Sequence, residues 1–88
     1  MTLERWKTIS ARDQLGHIAS EIARAELHKE NHAMRNAMLE RAIDFIDLSL
    51  DDPKWRANPL PLLVLKEELA KAYVGAKGMN LADLYAAI

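Results

Sequence analysis

Arg35–Leu50, RNAMLERAIDFIDLSL, is the stretch whose reading decides the fold. Laid on a helix at about 100° per residue, Met34, Met38, Ala42 and Phe45 fall toward one flank. Leu39, Ile43, Ile46 and Leu50 fall toward the other, and Asn36, Glu40, Asp44 and Asp47 share the remaining strip. The apolar arc is roughly 180° wide, whereas a helix packed on one partner needs ~100°. The stretch is therefore expected to be a central helix, covered on two sides.

Upstream, Ser10 followed by Asp13 is a cap-like start for a helix from about Ala11 to His28. Its apolar stripe is Ala11, Leu15, Ile18, Ala19, Ile22 and Ala25; Asp13, Gln14, His17, Glu21, Arg24 and His28 form the polar face. Gly16 sits inside this helix at some cost in propensity, and its missing side chain suggests the close approach of another backbone. Lys29–His32 breaks the pattern. A turn at Asn31, a residue that tolerates the left-handed conformation, makes a helical hairpin; the alternative is one helix continuing to Leu50. Thr2–Thr8 fits a short helix with Leu3 and Trp6 on one side.

Downstream, Asp51-Asp52-Pro53 ends the central helix, because the residue before proline disfavours the helical conformation. A connector carries Trp55. Asn58-Pro59 reads as an N-cap with proline at the first helical position, opening a helix to about Tyr73 or Val74. Gly75 and Gly78 stop it. Asn80–Asp83 is a further cap-like start, for a short terminal helix with Leu81, Leu84, Tyr85 and Ile88. The expectation is an all-α fold: one domain over residues 1–88, a hairpin plus a third helix as a small bundle, with short helical ends.

Composition narrows the function classes. Twelve Lys and Arg oppose thirteen Asp and Glu, for a formal charge of −1, which gives no global attraction to nucleic acid. With no cysteine, disulfides, zinc–thiolate sites and thiol catalysis are excluded. No apolar run approaches the ~18 residues of a membrane span, and MTLERWK lacks the basic-then-apolar layout of a signal peptide. A soluble, cytoplasmic protein is expected.

Gln14-Leu15-Gly16, Ile18, Ser20-Glu21, Arg24-Ala25, Glu40-Arg41-Ala42, Asp47-Leu48 and Asp52-Pro53-Lys54-Trp55 together resemble a small family of uncharacterised bacterial and archaeal α-helical proteins. The resemblance covers roughly residues 10 to 75 and carries no catalytic signature. Two departures matter. The family pattern has Asn where this chain has His17, which weakens any reading that needs His17. It has Gly near Asn31, which supports the turn. The resemblance implies a helical fold and no activity.

Four polar or aromatic residues stand out as a candidate binding set: Glu21, Arg24, Asp47 and Trp55. Arg24 is placed to pair with Glu21 or Asp47 and lock the hairpin, or to bind a carboxylate or phosphate through its guanidinium. Trp55, between Lys54 and Arg56, either plugs the end of the bundle or stacks on a base. Arg12 and His17 match the R-x-x-x-x-H spacing of HEPN-class ribonucleases, but i, i+5 turns them about 140° apart on a regular helix. His28 and His32 are spaced to share a metal only if one helix carries both; no metal or cofactor is expected. Glu40, Asp44, Asp47 and Asp51 read as a solvated helix face. No catalytic residue is assigned.

Three helices of about four turns offer little interior for Leu3, Trp6, Val64, Val74, Leu81, Leu84, Tyr85 and Ile88 as well. Small domains commonly supplement their cores by association, most often as two-fold dimers. The expected function is a non-enzymatic interaction or assembly module working as a homodimer, with a protein partner and no membrane role. A HEPN-type ribonuclease or nucleotide-handling accessory is the alternative.

Overall fold

The computed structural model describes residues 1–88, which form helices joined by turns and no strand. Helix α1 spans Leu3–Trp6, α2 Ala11–Leu27, α3 His32–Leu50, α4 Leu60–Val74 and α5 Leu81–Ala87; a 3₁₀ turn, Pro53–Trp55, lies between α3 and α4.

The starts are fixed by side-chain caps, each accepting one N–H that the helix leaves free. Thr2, Ser10, Asn31 and Asn80 accept from Arg5, Asp13, Met34 and Asp83. The hairpin between α2 and α3 is real, but Asn31 makes it differently from the left-handed turn expected. With φ −108° and ψ 96° it is extended and caps α3 from outside. The expected Asn58 cap does not form either. Pro59 occupies the cap position of α4 and no side chain caps the helix.

Gly75 ends α4. Its φ of 75° is the one positive value in the chain. Gly75 N–H donates to Ala72 O and Ala76 N–H to Lys71 O, the paired bonds of a Schellman ending.

The central helix has the two-sided role its wide arc implies. α3 packs against α2 on one side and α4 on the other, and α5 lies on α2. Ile18, Ile22 and Ala25 of α2, Leu39, Ala42 and Ile46 of α3, Leu62, Leu65 and Leu69 of α4, and Leu81 and Leu84 of α5 make one core. Each fully buried Leu or Ile contributes roughly 1.5–3 kcal/mol relative to exposure. Trp6 is completely buried, its ring stacked on Phe45 at 4.9 Å and 7°. No helix is long and apolar enough to cross a membrane.

Other expectations are corrected. Nothing lies within 4 Å of a Cβ built on Gly16, so no backbone approaches there. The acidic strip of α3 is not simply solvated. Tyr73 Oη donates to Glu40 at 2.8 Å and Lys66 Nζ to Asp47 at 2.6 Å, so the strip ties α3 to α4.

Candidate functional site

Two polar clusters and one apolar face are candidates for function. The first cluster closes the end of the bundle where α1, the start of α2 and the 3₁₀ turn meet. Gln14 is at its centre, fully buried. Its Nε2 donates to Trp6 O at 3.0 Å and to Asp52 Oδ2 at 2.9 Å, while its Oε1 accepts from the Trp55 indole at 2.7 Å. Trp6 Nε1 donates to Ser49 Oγ at 2.9 Å, and the Ser49 hydroxyl donates in turn to Phe45 O. Lys54 Nζ bridges Asp52 Oδ2, at 2.6 Å, and Lys7 O. Burial pushes the Asp52 carboxyl up, but hydrogen bonds from Lys54 and Gln14 outweigh it and hold the group below its ordinary value. Every donor here has an acceptor, which is the condition under which a buried polar network rigidifies a fold.

The second cluster lies across α2 and α3. Glu21 is only 3% exposed. Its Oε1 accepts from Arg24 Nη1 at 2.9 Å and lies 3.5 Å from Arg41 Nε. Its other oxygen is buried without a partner. Both arginine side chains remain 57% exposed and make no other ion pair. An open cleft of about 720 Å³ runs along the first turns of α2, lined by Thr8, Ile9, Ser10, Asp13, Gly16, His17 and Ser20.

The apolar face belongs to α4 and α5. Leu60, Leu63, Val64 and Val74 stand exposed along the outside of α4. Next to them an apolar groove of about 560 Å³ is lined by Leu15, Leu60, Pro61, Val64, Met79 and Ile88, among others. Tyr85 and Ile88, expected as core, are exposed; Leu81 and Leu84 take the buried side of α5.

Of the residues singled out from the sequence, Glu21 and Arg24 meet. Asp47 does not join them; it is held by Lys66. Trp55 is half-buried in the end cluster, with its N–H on Gln14. Arg12 and His17 lie on the regular helix α2 five residues apart, and His17 packs instead near Trp6 and Phe45. His28 caps the end of α2 while His32 opens α3, so the two share no helical face.

Gln14, Ser49 and Arg41 join these clusters without standing out in the sequence. Gln14 had a readable signal: it precedes Ile18 by four residues and Ile22 by eight, and so continues the buried stripe.

Comparison with protein-family models, with curated proteins and with solved structures gives no match. The fold and sites define a small all-α bundle with a fully bonded polar end, an arginine-flanked acid and an uncovered apolar face.

Proposed function

We propose that this chain is a protein-interaction module that works as a two-fold homodimer, with the outer face of α4 at the interface. The observation that carries the reading is the exposure of Leu60, Leu63, Val64 and Val74 on one strip of α4, beside an apolar groove. Leu60 and Val64 line that groove, and joined apolar surface of this kind marks interaction sites.

Charge supports a second copy as the occupant. The same strip carries Glu67 and Lys71. Within one chain they are 3.9 Å apart, at the limit of an ion pair, with Glu67 71% exposed, while Lys71 makes its closer pair with Glu68 at 3.2 Å. A two-fold interface is self-complementary: if one residue meets another, the reverse contact forms too. Antiparallel pairing of α4 helices about a point near Leu69 sets each Glu67 against the partner's Lys71. The same register sets each Val64 against the partner's Val74. The strip then closes with apolar contacts at both ends and opposite charges between them.

Sedimentation equilibrium of the wild type and of Val64→Glu tests this. The wild type should run at twice 10.0 kDa at micromolar concentration. Val64 is 51% exposed, so the substitution leaves the core alone and should yield a folded 10.0 kDa monomer. A wild type that is monomeric at all concentrations overturns the reading.

A further inference from the structure

We infer that Arg24 and Arg41 form a binding site for the phosphate of a small hydroxylated phosphomonoester, whose remainder lies in the cleft lined by His17 and Ser20. The inference uses no residue of the α4 face and is independent of the dimer.

The geometry starts at Glu21. One carboxylate oxygen faces two guanidinium groups, at 2.9 Å and 3.5 Å. The two facing nitrogens are therefore no more than 6.4 Å apart, the sum of those distances. Two oxygens of one tetrahedral anion, each taking a charge-assisted contact of about 2.8 Å, can bridge such a pair. Charge points the same way. Two arginines against one acid leave a net positive charge, and neither guanidinium has another acidic partner. Each carries five N–H donors, of which Glu21 takes few. Because Glu21 is buried, it fixes the position of two otherwise long and mobile side chains. A preformed site loses less entropy on binding.

The cleft supplies the rest of the ligand's chemistry. Asp13, His17, Ser20 and Arg24 fall on one strip of α2, and Ser20 is the cleft-lining residue nearest Arg24 along that strip. Ser20 and Arg24 are one turn apart, about 6 Å along the axis. Thr8, Ser10 and Ser20 present hydroxyls and His17 an imidazole. Gly16 leaves that wall bare, with nothing within 4 Å of its missing Cβ. Such a surface suits a ligand with hydroxyl groups within a few bonds of its phosphate. Asp13, the acid in the cleft, is about 16 Å from Arg24 along α2, beyond a Debye length at physiological salt.

The test is an NMR titration that follows the arginine Nε–H and backbone amide signals at constant ionic strength. The probes are inorganic phosphate, glycerol 3-phosphate and glycerol. Both phosphates should shift the Nε–H signals of Arg24 and Arg41 together, saturating at millimolar concentration. Glycerol 3-phosphate alone should also shift the His17 and Ser20 amides. The double variant Arg24→Lys/Arg41→Lys keeps the charge and loses the planar fork, and should weaken binding at least tenfold; Arg41→Lys alone, which leaves the Arg24 bond to Glu21 intact, should also weaken binding with the melting temperature unchanged. Non-saturating shifts spread over all arginines, or identical titrations of wild type and double variant, overturn the inference.

Discussion

The indole N–H of Trp55 donates to Oε1 of Gln14 at 2.7 Å, across 41 residues of sequence. That bond, with the two that Gln14 donates, joins α1, α2 and the 3₁₀ turn at the end of the bundle. Gln14→Leu preserves most of the volume but strands the Trp55 N–H and removes a donor from Asp52 Oδ2, while Trp6 O keeps the Ile9 N–H. An unsatisfied buried group costs about 1–3 kcal/mol, so urea denaturation should show a loss of that order. Wild-type stability in this variant would mean that water replaces the glutamine and the network is not structural.

Asp52 sets an acid limit on the same network. Its carboxyl sits below its ordinary value of 3.8 in the folded protein, because Lys54 and Gln14 bond the charged form more strongly than burial disfavours it. A depressed carboxyl contributes stability that is full above the unfolded value and lost as pH falls through the folded one. Stability should therefore fall below about pH 4. Asp52→Asn should be less stable at pH 7 and show a flatter acid limb in a series of melting temperatures. Parallel pH curves for the two proteins would show that Asp52 is not the group responsible.

Two glycines should respond in opposite directions. Gly75 has a φ of 75°, and an alanine there pays about 1–2 kcal/mol for the left-handed conformation. Gly16 lies inside α2 with open space where its Cβ would be. Gly16→Ala should raise stability by roughly 0.5–1 kcal/mol through helix propensity. Thermal melts of the two single variants check both signs, and a destabilised Gly16→Ala would reveal a close neighbour of that position.

Local rules made much of this fold readable. The wide apolar arc of Met34–Leu50 announced a helix with partners on two sides, and α2 and α4 occupy them. Ser10 and Asn80 cap the helices they precede. Patterning could not reveal contacts that depend on where distant segments meet. Gln14 looked polar and solvent-facing because its acceptors and donor come from Trp6, Asp52 and Trp55. Spacing suggests Asp47 as a partner for Arg24, yet Lys66 reaches it from α4. The Glu21–Arg24 pair is legible because an i, i+3 pair is a local relation; Arg41, twenty residues on from Glu21, reaches it only through the packing of α3 on α2. Residue type alone suggests that Tyr85 and Ile88 are core, and α5 turns them outward.

The most direct measurement of the central claim, that α4 pairs with α4 of a second copy, is a charge-reversal cycle followed by sedimentation equilibrium. Glu67→Lys alone and Lys71→Glu alone each place like charges opposite one another twice in the two-fold pairing, and each should shift the protein toward 10.0 kDa. The double variant restores opposite charges across the interface in reversed order, so its mass should return to twice that value. Circular dichroism confirms that each variant is folded. If the wild type is dimeric but all three variants keep its mass and association constant, the α4 strip is not the interface and the account is wrong.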